Sequence, residues 1–455
     1  MKRISSILLP LFLSGLAFAM EARAQGSQLP ERLSLEDCIR LAQERSLTLQ
    51  GERLRLEQLK IQQASQRNAF LPGVSANLGQ GWSFGRSENQ AGVYVDRSSS
   101  SSSFSIGADL PLFTGGRRLH ELKAARLNVQ AAMAQLSKAK EDLGLRITQL
   151  YVAVLYQKDI CQIMRGELDQ AKRLTDRAQA MVAEGKWPEV KLFEARAQQA
   201  DRALRLEEAE GQRASAELEL LQAMEADQTK TSVELAPLSL EQELREAERY
   251  LLSEAEIYRE ALLHRPGMQA LELSIASAEE AVRSARSAHL PQISLSAGYS
   301  NSYYYQLGKA YAALNPSFSS QLRSNGRSYI GLSMSIPIFN RFATTNSIRM
   351  ARLGVLERKL ERERMHKSLY KEIHQARMNA LLAKSKIEVA RAAAEAASLS
   401  SKHLYEQMIV GRSAHFEYDE ALLRAINARM ELSRAQHDFI LKARILAFYA
   451  SQPNE

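Results

Sequence analysis

One plan is written twice in this chain, so any fold it adopts must carry an internal repeat. Leu71-Pro72 recurs as Leu290-Pro291, Ser75 as Ser294 and Gly79 as Gly298, all displaced by 219 residues. Ala42, Leu49 and Gln50 recur at the same displacement as Ala261, Met268 and Gln269. Further on the displacement becomes 226: Pro111-Leu112-Phe113 recurs as Pro337-Ile338-Phe339, Gly185 as Gly411, and Glu194-Ala195 as Glu420-Ala421. The change falls between expected strands, where loops tolerate insertions. Residues 25–240 and 241–455 therefore read as two copies of one unit.

Proline spacing fixes the main element of each copy. After Phe113 there is no proline until Pro188, and after Pro337 none until Pro453, in stretches rich in Ala, Leu, Glu, Lys, Arg and Gln, all strong helix formers. Long helices are predicted over about 115–183 and 341–410, each on the order of 100 Å at 1.5 Å per residue. Shorter helices follow over 189–225 and 415–450. Apolar residues step by fours and threes: Val129, Met133, Leu136, Leu143, Ile147, Leu150, Val154, Cys161, Met164, Leu168, Ala171, Ala178 and Val182 in the first copy. Leu369, Ile373, Ala376, Ala380, Ala383, Ile387, Ala390, Ala394, Ala397, Leu404 and Met408 form the second seam. That period is a coiled-coil seam, which packs helices and carries no chemistry.

Before each long helix the period switches to two. Helices from about Glu36 to Phe70 and Ser253 to Leu290 end at Pro72 and Pro291, because proline ends helices and biases its predecessor to extended geometry. Strands are predicted over about 73–86, 103–113, 292–306 and 328–339. Phe104, Ile106, Ala108, Leu110 and Leu112 alternate with Ser103, Ser105, Gly107, Asp109 and Pro111, and Ile330, Leu332, Met334, Ile336 and Ile338 with Gly331, Ser333, Ser335 and Pro337. One face is apolar and the other small and polar. A half-buried soluble sheet alternates likewise, but the length of about ten residues and the aromatics at one end (Trp82, Phe84, Tyr303, Tyr305) are those of transmembrane strands. The serine run from Ser98 to Ser103 is low in complexity, and its start is expected in a mobile outer loop.

Compartment follows from the N-terminus. Lys2 and Arg3 precede an apolar run from Ile4 to Ala19, and Ala22-Arg23-Ala24 supplies a cleavage signal, so residues 1–24 read as a secretory signal peptide rather than a membrane anchor. The formal charge of +8 is interspersed with acids along the helices, which does not suit a nucleic-acid partner in a secreted chain. Cys38 and Cys161 are the only thiols. Along parallel rods their heights would differ by roughly 18 Å, beyond the reach of a bridge, so both are expected to be free.

Four strands cannot close a barrel, and an open edge in lipid leaves backbone groups unsatisfied. Several chains must pool strands: two give eight and three give twelve, and a polar interior that passes anything needs the larger ring, so a homotrimer is expected. The fold class is thus mainly α with transmembrane β, internally duplicated, with a twelve-stranded trimeric barrel in outer-membrane lipid and long coiled-coil helices.

The arrangement resembles the TolC-like outer-membrane efflux family over essentially the whole mature chain. The resemblance is carried by the paired Leu-Pro dipeptides, the Leu110-Pro111-Leu112-Phe113 and Ile336-Pro337-Ile338-Phe339 exits, and "MVAEGKWPEVKLFEAR" with "MIVGRSAHFEYDEA". It implies a homotrimer extending from the outer membrane into the periplasm as a long α-helical coiled-coil barrel, with a closable mouth at Gly185 and Gly411. There Lys186 and Arg412 join the turns expected to meet a periplasmic adaptor, itself joined to an inner-membrane transporter. Glu417 and Glu420, three apart and so neighbours on one helical face, match the acidic constriction of some members; repeated in three subunits they would form cation-favouring rings. Met408 and Ser413 stand where some members have a tyrosine and an arginine that lock the mouth, with Arg412 adjacent.

No enzymatic motif emerges. "GQGWSFG" lacks dinucleotide-loop spacing and opens no helix. His366 and His374 flank Glu372 without a metal-binding pattern, so no cofactor is expected. The expected function is a passive exit channel for substrates delivered by an inner-membrane transporter and adaptor. An outlet for secreted polypeptides and a non-spanning periplasmic coiled-coil protein are the alternatives.

Overall fold

The computed structural model describes residues 32–88, 92–96, 98–226, 234–251, 254–308 and 315–450. The signal peptide expected at 1–24 lies outside them. Helices α1 (Leu35–Arg45), α2 (Leu47–Asn68), α3 (Arg117–Ala183) and α4 (Glu189–Ala223) belong to the first half. Helices α5 (Leu240–Leu251), α6 (Glu254–His264), α7 (Pro266–Ser287), α8 (Phe318–Ser324), α9 (Ala343–Ile409) and α10 (His415–Ala450) follow. Strands are β1 (Gly73–Ser83), β2 (Arg86–Glu88), β3 (Tyr94–Asp96), β4 (Ser98–Thr114), β5 (Gln292–Leu307) and β6 (Arg327–Ser335).

Element bounds repeat with the sequence. Adding 219 to the ends of α1 and α2 gives the ends of α6 and α7, and adding 226 to those of α3 gives those of α9. Both long helices have 67 residues, about 100 Å of rod. No helix among the described residues is long and apolar enough to cross a membrane.

The chain forms two compact units, each containing segments of both halves. Unit 1 comprises residues up to Arg45, Gly144–Glu243 and Ala383–Leu441; unit 2 comprises Ser46–Leu143, Leu244–Leu382 and the remainder from Lys442. In unit 1, Ile160, Cys161 and Met164 of α3 pack against Ala209 of α4 and Ile426 of α10. The Tyr151 hydroxyl, wholly buried, reaches the carbonyls of Leu33 and Ala236. Cys38 and Cys161 are both buried and unbridged, and burial pushes the Cys38 thiol up to about 12. In unit 2, Leu369, Ile373, Ala376 and Ala380 of α9 pack with Ile257, Ala261, Met268 and Leu446. Most seam positions are buried; Met133 is an exception, at 47% exposure.

Unit 2 also carries the sheet, antiparallel in the order β1-β4-β5-β6. Register stacks like on like: Ala76 opposes Ile106, which opposes Tyr299, while Val74 opposes Ala108, then Ala297, then Ile330. On the other face Ser75 opposes Gly107 and then Gly298, and Asn77 opposes Ser105 and then Ser300. The apolar face is bare: Leu78 is 78% exposed and Ile330 82%.

Four details differ from the sequence reading. The two pre-strand helices are each broken in two: at Ser46, whose hydroxyl accepts from the Leu49 N–H, and at Arg265, where Pro266 opens a new helix at its first position. The serine run 98–103 is strand, because β1 and β5 satisfy its backbone from both sides and outweigh the poor strand preference of serine. Strand β1 stops at Ser83 and β6 at Ser335, where β5 begins opposite at Gln292. Finally, β5 outruns β6, and side-chain amides cover its bare edge: Gln321 of α8 bonds both backbone groups of Tyr304, Asn315 both of Gln306, and Asn325 the Ser302 carbonyl.

Candidate functional site at the helix turns

The two turns of unit 1 are built alike. After α3, the Lys186 N–H donates to the Met181 carbonyl at 2.9 Å and the Gly185 N–H to that of Val182 at 2.9 Å. After α9, the Arg412 N–H donates to the Gln407 carbonyl at 2.9 Å and the Gly411 N–H to that of Met408 at 3.2 Å. This pair of bonds is the Schellman helix stop, which needs a left-handed residue after the last turn. Gly185 and Gly411 supply it, at φ +71° and +75°.

The predicted acids have partners of their own. Glu417 accepts from the Ser413 hydroxyl at 2.7 Å and the Ala414 N–H at 3.1 Å, so its side chain reaches back to the start of α10 as one half of a capping box. These two donors hold its carboxyl below the usual range. Glu420 pairs with Arg424, one helical turn on. Lys186 pairs with Glu184 at 2.6 Å, and Arg412 has no acidic partner among the described residues. Glu417 and Glu420 therefore bond within their own helix and its entry, and not to Lys186 or Arg412.

A second group of residues ties the turns together, and sequence reading passed over it. The buried Tyr418 hydroxyl accepts from the Gln170 amide of α3, and burial pushes its pKa up to about 12. The Gln198 amide of α4 donates to Asp419 at 2.7 Å, and the Thr175 hydroxyl of α3 donates toward the Ala195 carbonyl of α4 at 3.2 Å. Tyr405 of α9 packs against Tyr418 with ring centroids 5.4 Å apart. The signal was a polar residue on an apolar seam: Thr175 fills the step between Ala171 and Ala178 and is buried.

One seam neighbour in this unit is both ionisable and buried. Glu167 is 5% exposed, with one carboxylate oxygen unbonded and Arg429 at 3.9 Å from the other, and its burial raises its pKa. His374, in unit 2, bonds Glu254 at 3.0 Å, and Glu372 accepts from Tyr449 and Ser368, so both serve helix packing. No group of three or more metal-ligating side chains is assembled among the described residues.

Comparisons with known proteins agree with this architecture. The family described as Outer membrane efflux protein matches the chain twice, over residues 38–225 and 257–448. Outer membrane protein TolC of Vibrio cholerae serotype O1 is 24% identical over 396 residues, covering 83% of this chain and 81% of that protein. Among solved structures, CusC superposes with a TM-score of 0.76 at 16% identity, covering 92% of each chain. VceC from Vibrio cholerae gives 0.73 at 15% identity, covering 92% of this chain and 97% of that one. The open-state MtrE channel of Neisseria gonorrhoeae gives 0.70 at 18%, covering 91% and 88%. The two matched blocks fall one in each half of the chain, and the chain belongs to the outer membrane efflux protein family, as an outer-membrane channel protein.

Proposed function

We propose that three copies of this chain close a twelve-stranded barrel and conduct substrates passively to the outside, receiving them from an inner-membrane transporter through a periplasmic adaptor. The observation that carries the reading is the sheet of unit 2, with one face apolar and exposed, the other lined by serine and glycine, and an unpaired outer edge on both β1 and β6. In lipid those edges require strands from further copies. Twelve strands suit a conducting lumen better than eight, whose interior is filled by side chains.

In this reading the turns at Gly185–Lys186 and Gly411–Arg412 meet the adaptor, and Glu417 and Glu420 face the narrow end of the conduit. Arg424 offsets part of the Glu420 charge, which leaves Glu417 as the stronger cation-selecting group. The test is reconstitution of the detergent-purified protein in planar bilayers. A three-subunit mass with cation-selective steps is expected, and Glu417→Ala with Glu420→Ala should raise conductance or weaken selectivity. Unchanged currents in the double variant would remove the acidic constriction; a water-soluble monomer without bilayer activity would remove the channel.

A further inference from the structure

We propose that the groove between α7 and α9, just beneath the sheet, binds the phosphate headgroup of an anionic phospholipid from the membrane leaflet nearer the helices. The inference rests on the reading of unit 2 as membrane-spanning. The groove has a volume of about 430 Å³, with a floor of Val282, Val355 and Leu356 and a rim of Arg283, Arg286 and Arg352. The carboxylate that lines it, Glu279, takes Lys359 at 3.4 Å, and Arg283 of the rim is taken by Glu280 at 2.6 Å. Arg286 and Arg352 bond no carboxylate among the described residues. Two uncommitted guanidinium groups over an apolar floor fit an amphiphile with an anionic head, since arginine forks match phosphate oxygens and the floor accepts hydrocarbon.

Position supports the same occupant. Arg286 lies in the last turn of α7, shortly before β5 begins at Gln292. Between β6 and α9 the exposed Ile338, Phe339 and Phe342 continue the apolar surface of the sheet, the two rings edge to face at 5.6 Å. Aromatic side chains at this level, with basic ones just beyond, are the usual order at a bilayer surface. Arg341 and Phe342 also hold left-handed backbone, φ +54° and +61°, where the first copy has Gly115 and Gly116. Both positions hold a side chain despite that strain, and Phe342 is 65% exposed. On α9 the Arg352–Val355–Leu356 face is rotated roughly 140° from Arg358, Glu361 and Met365, which line a separate cleft with residues of α2, α3 and α7. The groove therefore does not open into the cleft those four helices share.

The experiment is native mass spectrometry of the full-length detergent-purified protein titrated with dioleoyl-phosphatidylglycerol, dioleoyl-phosphatidylcholine or inorganic phosphate. The wild type should prefer phosphatidylglycerol to phosphatidylcholine by roughly tenfold or more. Arg286→Gln with Arg352→Gln should lose ten- to thirtyfold of that affinity, on the basis of about fivefold per basic side chain at an anionic surface. Arg286→Lys with Arg352→Lys should retain most of it, and Arg434→Gln, on α10, should match the wild type. If the double glutamine variant does not fold, Arg286→Gln alone should lose about fivefold. Equal binding of the two lipids, an unaffected glutamine variant, or competition by inorganic phosphate at matched concentration would overturn the proposal. So would loss of subunit association on charge removal, which would make the groove a contact between copies. A protein that conducts in bilayers yet shows no lipid preference refutes this inference alone; one that never enters a bilayer refutes the reading beneath it.

Discussion

Gly185 and Gly411 have open space where a Cβ would stand, so their requirement for glycine comes from backbone angle and not from crowding. Gly166, inside α3, also has open space but helical geometry, and the three positions form a controlled comparison. Gly185→Ala and Gly411→Ala should each destabilise by about 1–2 kcal/mol, whereas Gly166→Ala should stabilise by about 0.5–1 kcal/mol through reduced unfolded-state freedom. Thermal unfolding of the three variants checks this, and equal effects would disprove the assignment of strain. Glu417 is the second informative residue. Donors from Ser413 and Ala414 lower its pKa, so the stabilisation they give is present above the unfolded value and is lost only as pH falls through the lower folded value. If Glu417 sets cation preference, reversal potentials should stay constant down to about pH 4.3, the ordinary glutamate value, and change only below it. Ser413→Ala should move that change to higher pH, and a profile insensitive to both pH and Ser413 would exclude Glu417 from the conduction path.

Elements differ in how openly the sequence announces them. The limits of α3 and α9 were legible because proline and glycine bracket 67 proline-free residues composed mostly of helix formers, and the strand faces because a period of two has only one in-phase pairing. The break at Ser46 depends on one cap inside otherwise helical composition, too small a signal against the flanking propensity, whereas the break at Arg265 carries a plain signal in Pro266, which a single helix over 253–290 overlooks. The tie of Tyr418 to Gln170 was invisible for another reason, since its partners lie 248 residues apart and no local pattern joins them. Strand β4 shows tertiary context overriding composition, with Ser100 and Ser102 reached by the Gln80 side chain across the ladder. The amide cover on β5 is a similar long-range device, protecting an edge that would otherwise offer itself for pairing. Gln321→Ala removes two bonds to Tyr304, a loss of about 1–3 kcal/mol. Hydrogen–deuterium exchange at the Tyr304 amide should accelerate by roughly five- to hundredfold, with little change at Ala297, which β6 pairs directly. Uniform exchange along β5 would mean that α8 does not cover the edge.

For the molecule as a whole, duplication and closure are one problem. Each copy contributes a hairpin, β4 and β5 join the two hairpins, and the resulting sheet has a lipid-compatible face only if its outer edges find partners. The monomer is therefore incomplete by its own hydrogen bonding, and assembly should depend on which face a charge occupies. Leu332 and Ser333 are adjacent on β6, with Leu332 on the apolar face beside Leu295 and Ser333 on the polar face beside Ser294. Leu332→Arg places a guanidinium toward hydrocarbon, where near the bilayer centre it costs about 2–4 kcal/mol per subunit, multiplied over the copies that must associate. Ser333→Arg places the same group toward water in the lumen. Outer-membrane fractionation with unheated gel electrophoresis should find Leu332→Arg strongly depleted of assembled trimer and Ser333→Arg near wild-type amounts. Single-channel recordings of Ser333→Arg should then show reduced cation conductance, because the added positive charge lines the path. If instead Leu332→Arg assembles normally and Ser333→Arg does not, the two faces have been assigned to the wrong sides of the wall.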